Sequence, residues 1–275
     1  MVLGGLSLIS LLIVSVVHIL HMSQTINVAN QQLKGLNQVQ ATSQLILSLQ
    51  QHRGSSAGVI AGIRENKDAQ LLANKETLKY FTIVNDSLPT ELKESQQWST
   101  INARWKYLNV TNVTMGLNDS FHSHTRLLQK LFSFQRLLAD YYQLPLVNEL
   151  DTHYLTHSFL YPLPSTLELL GQIRAMGTSY LAHKSGVDKS KIQALLLKVS
   201  TPFQTFKENI KKLETVDTPD GKSVSETAQI LIHDIDRHLS FTSNDVLSDE
   251  GEIQPHEYYD KSTKLINDGF LFLGL

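Results

Sequence analysis

From residue 46 to 63 the chain reads ILSLQQHRGSSAGVIAGI. At helical spacing its inward positions are Ile46, Leu49, Arg53, Ser56, Ile60 and Ile63. Apolar residues three and four apart make one face of a helix packed in a bundle. Arg53 interrupts that face where a leucine would be expected. The residues beyond it are small, Gly54 to Gly58, so a second backbone can approach the guanidinium closely. An unpaired buried charge costs several kcal/mol, so Arg53 calls for a carboxylate, a cluster of carbonyls or a bound anion. The stretch 167–183, LELLGQIRAMGTSYLAH, repeats the pattern with Leu167, Leu170, Arg174, Gly177 and Leu181. Gln51 and Gln172 each stand two residues before the arginine. Two helices, each with one arginine on its core face, form a weak internal repeat.

The rest of the chain is almost uniformly helical in its periodicity. Residues 2–20, VLGGLSLISLLIVSVVHIL, carry no charge and match the roughly 20 apolar residues that span a bilayer core. No basic n-region precedes them and no A-x-A site follows, which favours a retained anchor over a cleaved signal peptide. A transmembrane helix is therefore expected over 1–21, with 22–275 outside it. No proline interrupts 21–64, and Ile26, Ala29, Leu33 and Leu36 keep one stripe, so a single long helix should leave the membrane and reach Arg53. Its polar positions at 37–45 make a soft seam. Helices are predicted over 67–84, over a polar segment with Trp98 and Trp105, over 121–142, 189–213 and 224–240, and over 255–273. Pro145, Pro162 and Pro164 punctuate the middle of the chain. Asp119 or Ser120 is expected to cap the 121–142 helix. His233, Asp234, Asp236 and His238 read as a solvated face. The fold class is all-α: an elongated antiparallel helical bundle, one or two stacked four-helix bundles, on an N-terminal transmembrane helix.

Composition narrows the chemistry. A net charge of −2 gives no electrostatic case for nucleic acid. The absence of cysteine removes disulfides and thiolate metal sites. The eleven histidines are scattered and make little case for a metal. Four N-x-[ST] triplets, at Asn85, Asn109, Asn112 and Asn118, have meaning only in a secreted eukaryotic protein. No Gly-rich phosphate loop, nucleophile elbow or carboxylate pair asks for catalysis, and neither an enzyme nor a cofactor is expected.

The segment LQQHRGSSAGVIAG resembles the Q-x-x-R-G-x-(S/A) stretch of nitrate- and nitrite-sensing-type helical sensor domains. ADYYQLPLVNELDTHYL, followed by PLPSTLELLGQIRAMGTSYLAH, is similar to a proteobacterial sensor type at the front of methyl-accepting chemotaxis proteins, histidine kinases and diguanylate cyclases. There a segment like AD-x-S-x-L-x-x-DPDLDSYYL leads into LGQLRG-x-GA. Asp140, Leu150, Asp151, Tyr154, Leu155, Pro164, Gly171, Gln172, Arg174 and Gly177 fit. Val147 and Asn148 replace the usual Asp-Pro, and His153 replaces the first Tyr. The resemblance implies a single-pass anchor in a bacterial inner membrane with the bulk of the chain periplasmic. It also implies a homodimer and a small-molecule ligand, for which an anion is the natural candidate, bound between helices. Arg53, Arg174, Ser56, Gln51, Gln172, Asp151 and Tyr154 are the candidate ligand-binding residues. In such proteins a second membrane helix and an output domain follow, so the chain is expected to be truncated before them. The competing expectation is a non-catalytic single-span adaptor that binds another membrane protein.

Overall fold

The computed structural model describes residues 2–60, 62, 66–112, 114–147, 149–182, 188–216, 218–248 and 253–274, with side chains from residue 11 onward. Ile63 and Asn148 lie outside the described residues. The fold is all-α, with no strand among the described residues. The elements are α1 (Val2–Ile60), α2 (Asn66–Ser87), α3 (Thr90–Lys93), α4 (Gln96–Thr111), α5 (Leu117–Tyr141), α6 (Leu150–Leu160), α7 (Pro162–Ala182), α8 (Lys189–Glu214), α9 (Pro219–Phe241) and α10 (Pro255–Phe272). A π-helical turn, Thr242–Val246, follows α9 directly.

Local chemistry sets the boundaries. Leu88-Pro89 stops α2, because the residue before a proline is pushed out of helical conformation. The Ser95 hydroxyl caps α4 by accepting from the Trp98 amide at 3.2 Å. Asp188 caps α8 through the Ser190 amide. Thr218 caps α9 through Gly221, with Pro219 in the first helical position, where its missing N–H costs nothing. Pro202 sits inside α8 without ending it. α5 begins at Leu117, before the predicted start, with Gly116 in the extended cap position. Neither Asp119 nor Ser120 caps it. Ser120 is buried, and its carbonyl serves a histidine instead.

α1 is 59 residues long, about 90 Å at 1.5 Å per residue. Its first part stands alone: residues 11–31 are all exposed. Among the described residues it is the one helix long and apolar enough to cross a membrane. From Gly35 onward α1 is packed, on α2 and α5, with α4 laid against α5. α2 runs back along α1, since Gln70 meets His52 while Ser87 meets Gln38. α5 does the same, with His124 at His52 and Gln135 at Val39 and Ser43. A second group forms where α7 packs on α8 and α10, with α9 on α8 and α10 and α6 on α7 and α8. One apolar core runs through both groups, from Leu45, Leu49, Trp98 and Phe134 to Leu167, Phe206, Ile210 and Phe270. Trp98 stacks on Phe134 at 5.0 Å, and Trp105 on Phe81 at 5.5 Å.

The predicted faces are inward over most of their length. Ile46, Leu49, Arg53, Ser56, Leu167, Leu170, Arg174 and Gly177 are buried, while Ile60 and Leu181, at the ends, are half-buried. The soft seam is inward too: Gln38, Thr42 and Ser43 are buried and bonded to backbone carbonyls. His238 departs from the solvated face expected of it. It is buried, with Nε2 against the Ser262 hydroxyl at 3.1 Å. Its neighbours His233 and Asp236 remain exposed.

Candidate functional site

Arg53 and Arg174 are among the largest fully buried side chains, each 1% exposed. They meet where α1 crosses α7 and α10. Each guanidinium reaches past a glycine of the other's helix. A Cβ at Gly171 would stand 2.9 Å from Arg53 Nη2, and one at Gly54 would stand 3.2 Å from Arg174 Nη2.

Their partners are unequal. Arg53 forms an ion pair with Glu168 of α7, Nη1 to Oε1 at 2.6 Å and Nη2 to Oε2 at 3.2 Å. It also donates to Thr125 Oγ1 at 3.1 Å and lies 5.3 Å from the centre of the Phe121 ring. Glu168 is itself buried and accepts from Gln50 and Gln172, each at 2.8 Å. Arg174 has no carboxylate among the described residues. It donates to Thr263 Oγ1 at 2.8 Å and to the Gln50 carbonyl at 3.4 Å, and it lies over the Tyr259 ring at 4.9 Å. Burial draws the Arg174 guanidinium below its ordinary pKa; the Arg53 charge adds to this, while Tyr259 and, more weakly, the Glu168 charge and Tyr258 oppose it. Two buried cations thus share one buried anion. Arg53 Nε, Arg174 Nε, Gln50 Oε1, Ser56 Oγ and Thr178 Oγ1 are buried and have no hydrogen-bond partner among the described residues.

The other residues predicted from sequence divide. Ser56 is fully buried one turn beyond Arg53, and Gln172 bonds Glu168. Gln51 is half-buried, and the neighbouring Gln50 takes the place expected of it. Asp151 and Tyr154 are not brought to the arginines. Asp151, on α6, accepts from the Thr152 amide and from Thr218 Oγ1 at 3.0 Å, which lowers its carboxyl pKa. Tyr154 packs beneath the Lys212 ammonium.

Sequence reasoning missed Glu168 and two sets of histidines. His52 and His124 meet in the core, Nδ1 to Nε2 at 2.8 Å. The Ser120 carbonyl, 2.7 Å from His124 Nδ1, can only accept, so that nitrogen carries a proton. His124 Nε2 then accepts from His52 Nδ1–H, and His52 Nε2 accepts from Gln70 and Asn112, each at 3.2 Å. Both rings are neutral, and the chain of bonds ties α1, α2, α4 and α5 at one level. Burial pushes His52 down to about 4 and His124 down to about 3, with the neighbouring His52 and Arg53 lowering the latter further. His153 and His157, four apart on α6, are an H-x3-H pair that a scattered count passes over. His157 Nδ1 is held by Asn209 at 2.9 Å. No group of three or more metal-ligating side chains is assembled among the described residues.

No family model, curated protein or solved structure matches the chain. The chemistry of the site therefore carries the functional argument. The cluster is buried, carries two cations on one anion, holds N–H and hydroxyl groups without partners among the described residues, and has small residues at the helix crossing; a small anion would complement that chemistry.

Proposed function

We propose that this chain is the sensor region of a membrane-anchored, chemoreceptor-like signal transducer that binds a small anion between α1, α7 and α10. The observation that carries the reading is the charge imbalance: Arg53 and Arg174 are both buried, and Glu168 neutralises only one of them. An anion beside Arg174 would supply the missing charge and occupy the unpartnered Nε and hydroxyl groups. α1 would join this site to the bilayer, because the same helix carries Arg53 and the uncharged stretch 2–20. A ligand that prefers one packing of α1 against α7 and α10 shifts the population towards it, by no more than its difference in affinity for the two packings. The resemblance in sequence supports a periplasmic location for the bulk of the chain and a homodimer paired through α1.

The test is a melting-temperature screen of the whole chain in detergent against small inorganic anions, carboxylates and amino acids. Ligand at about 100 times its dissociation constant adds about 2.7 kcal/mol, a shift of several degrees. The expected result is a shift with one anion class that disappears in Arg174→Met. A flat screen with unchanged variants would favour the adaptor reading instead.

A further inference from the structure

We propose that the turn between α5 and α6 is a second membrane contact, and that the open cleft between it and α1 takes a phospholipid of the bilayer surface. This rests on the reading of α1 as a membrane span.

The first ground is charge. No Asp, Glu, Lys or Arg occurs before Lys34, so α1 stays uncharged well past the end of the span at residue 20. The turn shares that character: between Asp140 and Glu149 the chain reads YYQLPLVN. The second ground is position. Gln32 of α1 donates to the carbonyls of Gln143 at 3.0 Å and Leu146 at 3.4 Å, pinning the turn to the exposed part of the helix. Gly35 makes room for Tyr142, whose Cβ lies 2.3 Å from where a Cβ at Gly35 would stand. The cleft so formed, about 430 Å³, reaches from Gln31 down to Leu20. Leu20, Val28 and Tyr141 give it apolar walls, and Ser23, Asn27 and Gln31 give it polar ones. That mixture suits the headgroup end of a lipid whose acyl chains continue along α1.

The third ground is the turn's own surface. Leu146 is 71% exposed and Tyr141, which leads into the turn, 42%. No described residue covers them. Its amides are satisfied: those of Tyr142, Gln143, Leu144, Leu146 and Val147 each donate to a backbone carbonyl of α5 or of the turn, and Pro145 has none to satisfy. A segment with satisfied amides, no charge, an exposed leucine and an exposed tyrosine can enter an interfacial layer, where its carbonyls still meet water, without stranding its N–H donors.

The chain has no cysteine, so Val14→Cys, Leu146→Cys and Val110→Cys each place a single thiol in the whole protein. Each variant carries an environment-sensitive fluorophore and is reconstituted into phosphatidylcholine vesicles containing lipid spin-labelled either on the headgroup or in the acyl chain. Val14 lies in the span, and Val110, 76% exposed, lies at the far end of α4. The expected result is loss of emission at Leu146→Cys with headgroup-labelled lipid, at Val14→Cys with chain-labelled lipid, and at Val110→Cys with neither. If Val14→Cys is quenched while Leu146→Cys behaves like Val110→Cys, the turn proposal is overturned and the span stands. If Val14→Cys is also unquenched, the span falls and the turn proposal with it.

Discussion

The two arginines look alike in sequence and differ in energetics. Removing one partner of a buried pair leaves the other charge uncompensated, at about 3–5 kcal/mol, whereas removing a charge that has no counter-ion is neutral or stabilising. Arg53→Met should therefore destabilise the fold by about 3 kcal/mol, because Glu168 is left buried, while Arg174→Met should cost nothing or stabilise by about 1 kcal/mol. Urea unfolding in detergent reads both, and equal losses would mean that Arg174 is as well compensated as Arg53. The histidine pair sets a pH dependence of definite sign. Folded His52 and His124 titrate near 4 and 3, below the unfolded value of 6.5, so between those limits the unfolded chain binds more protons. Stability should be flat above pH 6.5 and fall as the pH drops towards 4, by about 3 kcal/mol at His52 alone. The groups facing the pair are Gln70, Trp105 and Asn112, all uncharged, and Arg53, whose positive charge opposes protonation of His124. His238, lowered to about 4 by burial, acts in the same sense, so His52→Gln with His124→Asn should reduce the slope of stability against pH without abolishing it. Sequence exposes Arg53 and Arg174 because a charge in an apolar stripe is conspicuous. It hides Glu168, whose need for a partner is visible only once another helix is placed beside it. Gln50 and Gln51 differ by a rotation of about 100° about the helix axis, finer than a seam drawn on small residues can resolve.

At the scale of elements, period carried almost everything. The apolar stripe that predicts the 189–213 helix, Ile192, Leu196, Val199, Phe203, Phe206, Ile210 and Leu213, is buried except at Leu196, which is half-buried, because long apolar stripes have one way to leave water. Boundaries held less well where polar residues sit inside. The start of α5 reads as loop, since Asn118, Asp119 and Ser120 favour caps, yet Ser120 is buried and its carbonyl takes the His124 proton. Tertiary contact overrides local preference there. Crossings between helices depend on absent side chains, which a periodicity search cannot see. Gly177 lets α10 approach α7, and a Cβ there would stand 2.5 Å from Tyr258 Cε1, on a fully buried ring that also meets Thr242 of the π-helical turn. Gly177→Ala should cost about 1–3 kcal/mol through overpacking, despite the gain in helix propensity. A thermal melt reads this directly. A more stable Gly177→Ala would mean that the ring shifts freely and the crossing is not tightly packed.

At the scale of the molecule, α1 divides in two. From Gly35 to Ser56 it is a core helix, with Leu45, Leu49 and Ser56 wholly buried, but below that it stays largely exposed, with the α5–α6 turn bonded to it at Gln32. Ile26, Leu33 and Leu36 are 55%, 58% and 54% exposed. With Ala29 they stand at spacings of three and four, the a and d positions of a coiled coil. Such a seam outside the membrane buries itself best against another copy of the same seam, and in a transducer it would lie on the path from the arginine site to the bilayer. Leu33→Glu with Leu36→Glu should then separate the proposed dimer, because like charges would face each other across the seam. The melting temperature of the protomer should hardly change, since exposed substitutions are worth about ±0.5 kcal/mol. Sedimentation velocity in detergent distinguishes the outcomes. A dimer that becomes a monomer while the fold persists assigns the seam to self-association. A wild-type monomer, or a dimer that survives both glutamates, removes α1 as the interface and leaves the stripe to a different partner.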